Sequence, residues 1–139
     1  MEQLTEIGTN EDNRAIVEDY FRAVNAGDIA RLDTLFSESI VWHQPGAGVL
    51  SGTYEGKDDV FGLFRIFGEM SGGTFEIDDV EAIMGNGDLM SAIIHFRAEK
   101  GSESMSMRGV DVMRIEDGKI SEAWLFSENQ EDEDMFWGM

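Results

Sequence analysis

At Gly72-Gly73 the hydrophobic periodicity of this chain changes from helical to alternating, dividing a helix-rich start from a strand-rich remainder. Upstream, Ile16, Val17, Tyr20, Phe21 and Val24 recur on one helix face, and Gly27 ends the run. Thr9, three residues before Asp12, is placed to cap this helix. Asp28 is placed to cap a second, carrying Ile29, Leu32, Leu35 and Phe36, because its carboxylate can accept from backbone N–H groups left free at a helix start. Ser39 to Gln44 is short, β-branched and aromatic, and Pro45-Gly46 closes it as a turn. After the glycine-rich stretch to Gly56, Lys57 to Met70 spaces Val60, Leu63, Phe64, Phe67 and Met70 as a third helix. Gly62 and Gly68 each weaken it by roughly 1 kcal/mol relative to Ala.

Downstream, four strands follow over Thr74–Met84, Leu89–Lys100, Ser104–Ile115 and Lys119–Ser127, with hairpin turns at Asn86-Gly87 and Asp117-Gly118, where positive φ costs little. Asp78-Asp79 marks a bulge or turn. Helices first and an antiparallel meander afterwards define an α+β fold with helices on one face of a curved sheet. In Met105–Ile115 the alternating set Met105, Met107, Gly109, Asp111, Met113 and Ile115 opposes a set that includes Val110 and Val112. Apolar residues on both faces imply that the outer face is covered, and a homodimer through the sheet is the economical explanation. Residues 128–139 are acidic with an apolar stretch near the end (Met135, Phe136, Trp137), suggesting a short closing helix or tail, with the acidic run Glu128 to Asp134 a solvated surface. Residues 1–9 are expected to be a flexible lead-in, and residues 10–139 a single domain.

The chain of 139 residues is long enough to bury roughly two-thirds of its unfolded surface without staples. Cysteine is absent, which rules out thiolate metal sites and leaves only His43 and His95 as nitrogen ligands; neither a metal nor a cofactor is expected. The net charge of −19, from 29 acidic and 10 basic residues, argues against nucleic acid as a partner, because phosphate neutralisation needs Lys/Arg clusters. Such self-repulsion is relieved by screening, which suits a salty, halophile-type cytoplasm as well as an ordinary acidic protein. No apolar run approaches the roughly 20 residues of a membrane span, and the N-terminus lacks the pattern of a signal peptide. A cytoplasmic location without membrane association is expected.

Trp42-His43-Gln44-Pro45-Gly46 delivers aromatic, imidazole and amide groups to one turn. With Tyr20 and Asp111 it suggests a pocket with a few convergent polar groups, suited to a small apolar ligand. His43 is the candidate base, since an imidazole near its reference pKa of about 6.5 can accept a proton at working pH. Strict alternation, however, sets His43 and Gln44 on opposite faces. Asp111 lies mid-strand among Met and Val, where a carboxylate is costly to bury unless paired, with Arg108 or Arg97 for example, or protonated. Tyr20 sits on an apolar helix stripe, where a tyrosine is commonly core with one hydrogen-bond partner. Trp42, Gln44, Phe67, Phe75, Trp124 and Phe126 are candidate ligand-binding residues, the aromatic ones sharing that role with the core. His95 reads as a surface or interface histidine.

The order helix, helix, strand ending in proline, helix, four-stranded meander resembles the nuclear transport factor 2-like superfamily, over residues 13–127 or so. Tyr20-Phe21-Arg22-Ala23-Val24-Asn25-Ala26-Gly27-Asp28-Ile29 leading to Pro45, and Val110-Asp111-Val112-Met113-Arg114-Ile115 leading to Gly118, are similar to ketosteroid isomerases. His43-Gln44-Pro45-Gly46, Leu50-Ser51-Gly52 and Trp124-Leu125-Phe126 look more like the SnoaL-like branch. The resemblance implies a cone-shaped, curved antiparallel sheet with the N-terminal helices on its concave face, a cystatin-like α+β barrel. It further implies that Tyr20 and Asp111 are the tyrosine and protonated acid that meet an enolate oxygen. Isomerases place an aspartate base immediately before the proline; here that position holds Gln44, and an amide has no accessible basic state. The resemblance thus leaves open an isomerase, cyclase or hydratase working with Tyr20, Asp111 and His43, a noncatalytic binding dimer that lost its base, or a structural dimerisation module whose pocket is plugged by its own side chains.

Overall fold

The computed structural model describes residues 10–139. The lead-in expected over residues 1–9 and the cap at Thr9 lie outside the described residues. The elements are α1 (Asn10–Ala26), α2 (Ile29–Leu35), β1 (Phe36–Gln44), β2 (Gly52–Glu55), α3 (Lys57–Ser71), β3 (Glu76–Asn86), β4 (Leu89–Lys100), β5 (Glu103–Glu116), β6 (Lys119–Ser127) and α4 (Gln130–Trp137). Asp28 caps α2, its Oδ1 accepting from the Arg31 N–H at 3.0 Å. Phe36 belongs to β1 rather than to α2: with φ −94° and ψ 141° it has already left helical geometry.

All six strands form one sheet in the order β2-β1-β6-β5-β4-β3. The meander β3 to β6 is antiparallel throughout, as the alternating pattern predicts. β1, however, lies parallel to β6, so the sheet is mixed rather than wholly antiparallel, and it stays open between its edge strands β2 and β3. The parallel pairing is possible because α3 and the meander separate β1 from β6 in sequence, and parallel neighbours need such a long connection. The edge strand β2, inside the glycine-rich stretch, pairs antiparallel with the end of β1.

The two hairpin turns expected from the sequence differ from each other. Asp117 and Gly118 both have positive φ, 53° and 75°, and form the two-residue loop between Glu116 and Lys119. Asn86 instead pairs with Leu89 as the last residue of β3, leaving Gly87-Asp88 as the loop with positive φ at Gly87 alone. The β3–β4 register shifts between Ile77 and Asp79, which puts the expected bulge at Asp78, and shifts again between Val80 and Ala82.

α1 is held on the inner face at both ends. Arg14 donates to the Ile83 carbonyl at 2.5 Å, while Asn25 both donates to the Ile77 carbonyl and accepts from the Ile77 N–H at 2.8 Å. Its buried stripe includes Val17, Tyr20 and Phe21. The inner face of β5 is the set Met105, Met107, Gly109, Asp111, Met113 and Ile115, all buried, whereas Val110 and Val112 on the other face are half-buried. The core thus lies between the concave face of the sheet and α1, α2 and α3.

The tail closes the open end of this half-cone. Asn129 caps α4 by accepting from the Asp132 N–H at 3.1 Å. The helix turns Glu133, Asp134, Phe136 and Trp137 inward. The acidic run is therefore not wholly solvated: residues three and four apart share a helix face, and Glu133 and Asp134 lie on the same side as the aromatic anchor. Asp134 accepts from the Ala47 N–H at 2.9 Å, and the Gly138 carbonyl from the Val49 N–H at 2.9 Å, tying α4 to the turn after Pro45. Gly46 makes this approach possible, since a Cβ there would lie 2.0 Å from Asp134 Oδ1.

Candidate functional site

Between the inner face of the sheet and the helices is a cavity of about 350 Å³. Tyr20 reaches it from α1, Trp42 and Gln44 from β1, Phe64 and Phe67 from α3, Asp111 from β5, Leu125 from β6, and Glu133 and Trp137 from α4, with Phe75 on the segment before β3. Small residues flank the buried acid on its own strand and on the next. Asp111 faces Ala92 across the β4–β5 ladder, and Gly109, two residues along its own strand, lies where a Cβ would meet the Phe126 carbonyl at 2.9 Å. The sequence-predicted set Tyr20, Gln44 and Asp111 thus converges on one cavity.

Alternation along β1 decides which neighbours join them. Trp42 and Gln44 point inward, and Trp42 Nε1 donates to Gln44 Oε1 at 3.0 Å. That bond uses the amide oxygen, and the Gln44 NH₂ has no protein partner among the described residues. His43 points the other way. Its Nε2 lies 2.7 Å from Glu122 Oε2, its ring stacks on Trp124 at 5.6 Å, and neither ring lines the cavity. Arg114 covers the other side of this group, bonding Glu122 at 3.2 Å with its guanidinium 5.4 Å from the Trp124 ring centre. The expected roles of His43 as pocket base and Trp124 as ligand contact are therefore corrected: the two are register partners on parallel strands, and their side chains share the outer face.

Phe67 and Phe75 line the cavity as expected, their rings 4.4 and 6.4 Å from that of Trp137. Phe126 also borders the cavity but is 57% exposed. His95 lies on the outer face, bonded to Asp78 at 2.7 Å, with Ser106 3.1 Å away.

Asp111 is 4% exposed and makes no hydrogen bond or ion pair to any described residue. The alternative partners Arg97 and Arg108 are engaged with Glu76 and Glu128. No buried side-chain oxygen or nitrogen without a partner is sealed from all accessible space among the described residues, so the Asp111 carboxyl opens onto the cavity. Burial first, and the negative charge of Glu133 second, raise its pKa from 3.8 to about 7. Tyr20, equally unpartnered and 3% exposed, has its hydroxyl pushed well above the usual phenol range by burial and by the charge of Asp111. It does not have the partner expected of a core tyrosine.

Glu133 is the functional-site candidate that sequence reasoning missed. It is 6% exposed and accepts from Ser127 at 2.6 Å, Gln130 at 3.1 Å and Trp137 Nε1 at 3.2 Å. The available signal was the helical spacing Gln130, Glu133, Asp134, Trp137, which joins two carboxylates to an aromatic anchor. Among the described residues no cluster of three His, Cys, Asp or Glu is arranged to hold a metal ion. No helix among them is long and apolar enough to cross a membrane.

A bent sheet and a layer of helices enclosing a small-molecule-sized cavity define a nuclear transport factor 2-like fold. The chain belongs to the SnoaL-like domain family, whose sequence profile matches residues 17–123. Similar solved structures include a protein of unknown function with a cystatin-like fold from Xanthomonas campestris, 38% identical over 90% of this chain and 97% of that one, with a TM-score of 0.87. Bal32a, from a soil-derived mobile gene cassette, is 26% identical over 91% of this chain and 97% of its own, also with a TM-score of 0.87. IdmH from Streptomyces antibioticus, whose proposed activity is that of a polyketide cyclase, is 21% identical over 84% of this chain and 91% of its own, with a TM-score of 0.69; that likeness is one of fold. Comparison with proteins of curated function finds no match.

Proposed function

We propose that this protein binds a small, mainly apolar compound carrying a carbonyl or hydroxyl oxygen and moves a proton on it, as an isomerase, cyclase or hydratase. The observation that carries this reading is the convergence of three polar groups without a partner among the described residues, from Asp111, Tyr20 and Gln44, in one aromatic-walled cavity. A carboxyl with a pKa of about 7 is populated in both states near neutrality, which suits it to take a proton and return it. In an isomerisation the ionised Asp111 accepts the proton from a carbon beside the carbonyl. The electrons of that C–H bond pass into the C–O group, whose oxygen receives hydrogen bonds from the Gln44 NH₂ and Tyr20 hydroxyl. Protonated Asp111 then delivers the proton to a second carbon, restoring the carboxylate. His43 has no part in this scheme.

The test is solvent exchange. Candidate carbonyl compounds that raise the melting temperature are incubated with the protein in D₂O and followed by NMR. Deuterium incorporation that falls at least 100-fold in Asp111→Asn supports the enzyme. Gln44 favours a second reading, a noncatalytic binding protein, because the resemblance puts the isomerase base at its position. Ligands that bind without exchange or turnover support that reading.

The half-buried Val110 and Val112 on the outer face support assembly as a homodimer through the sheet, which light scattering at micromolar concentration tests. The charge of −19 supports a salt-rich setting, and a melting temperature that fails to rise from low to molar KCl counts against it.

A further inference from the structure

The cavity wall combines two buried carboxyl groups with several aromatic rings and contains no Lys, Arg or His among the described residues. Among the described residues Glu133 has only neutral donors around it, the hydroxyl of Ser127, the amide of Gln130 and the indole of Trp137. Asp111, 4% exposed, has no donor among the described residues and opens onto the same space. Negative charge buried without an opposite charge is costly in a low-dielectric site, so a cation seated beside both carboxyl groups would be favoured there. The surrounding rings add to it. Trp137 lies 4.4 Å from Phe67 and 6.4 Å from Phe75, Phe75 lies 6.0 Å from Phe96, and Trp42 packs edge-on against Phe64 at 4.9 Å. Aromatic faces attract ammonium groups through their quadrupole, most strongly where water is excluded.

We propose that the natural ligand carries a positively charged nitrogen, a protonated or quaternary amine, seated between Asp111, Glu133 and the aromatic wall. This rests on the reading of the cavity as a ligand site and names the class of compound it takes. The net charge of −19 draws cations toward the protein from solution, and the two carboxyl groups select among them inside. A bound cation also favours the ionised form of Asp111, so the ligand itself prepares the group that accepts a proton. The titratable groups facing Asp111 across the cavity are Tyr20 on α1 and Glu133 on α4; β4 and β6 present Ala92 and Leu125 beside it.

The experiment compares three probes of nearly equal size, phenylbutylamine, phenylbutanol and phenylbutyrate, by calorimetric titration of the full chain at physiological ionic strength. The amine is expected to bind at least tenfold more tightly than the alcohol, with the carboxylate weakest and the advantage of the amine growing as pH rises through 7. In Asp111→Asn, which breaks no hydrogen bond among the described residues, the preference for the amine over the alcohol shrinks severalfold, and Glu133→Gln has the same effect through a second position. An alcohol that binds as well as the amine overturns the charge selection while leaving the ligand site standing. An amine preference that survives both substitutions assigns the binding to the acidic surface and also overturns it. Failure of all three probes to bind overturns the cavity as a site for guests of this size and the inference with it.

Discussion

Trp42 Nε1 donates to Gln44 Oε1 at 3.0 Å, and this bond aims the Gln44 NH₂ into the cavity. Both side chains are buried on the inner face of β1. Gln44→Leu leaves the indole N–H without an acceptor and is expected to cost about 1–3 kcal/mol. Trp42→Phe combined with Gln44→Leu is expected to cost less than the sum of the single changes, with a coupling of about 0.5–1.5 kcal/mol in urea unfolding. Strict additivity contradicts the bond.

Asp111 makes stability depend on pH. Its folded pKa of about 7 exceeds its reference value of 3.8, so between the two the folded state holds more protons than the unfolded state. The charge penalty is therefore absent below the unfolded pKa, grows with rising pH, and is complete above 7. Asp111→Asn removes the penalty and is expected to be more stable than the parent at pH 8, by on the order of 2–4 kcal/mol, with the difference fading toward pH 4. Melting curves of both proteins across this range check it, and a difference that does not change with pH contradicts the assignment.

His43 and Tyr20 separate the two faces of the sheet. His43→Ala removes a half-exposed contact to Glu122 and a ring stack on the outer face, so it is expected to change ligand affinity less than twofold and stability by about 1 kcal/mol or less. Tyr20→Phe deletes a hydroxyl without a partner among the described residues, so stability is expected to stay within about 0.5 kcal/mol while affinity for an oxygen-bearing ligand drops several-fold. Thermal shift and calorimetry on both variants distinguish the outcomes. The reverse pattern places the chemistry outside the cavity.

The clamp on the tail depends on a glycine. Gly46 has a φ of 95° and no room for a Cβ beside Asp134. Gly46→Ala is expected to cost about 2 kcal/mol or more and to loosen α4. Asp134→Ala, which frees the Ala47 N–H, is expected to do the same by about 1–2 kcal/mol. Hydrogen exchange should increase across Gln130–Trp137 in both variants while the β4–β5 ladder keeps its protection. Unchanged exchange in α4 contradicts the clamp.

The helix faces of α1 and α3, the cap at Asp28, the four-stranded meander and the inward set around Asp111 follow from local rules of spacing, capping and alternation, all of which act over a few residues. The same alternation sets His43 opposite Gln44. Parallel docking of β1 on β6, which stacks His43 on Trp124 outside, was not legible, because the partner of a strand edge is chosen by the whole sheet. Nor was the return of α4, which turns Glu133 from an apparent solvated charge into a neighbour of Asp111 more than twenty positions earlier. Sequence by itself determined which side chains each segment could present on which face. Tertiary structure alone decided which of them share a low-dielectric cavity, because desolvation and charge coupling depend on distance through space rather than along the chain.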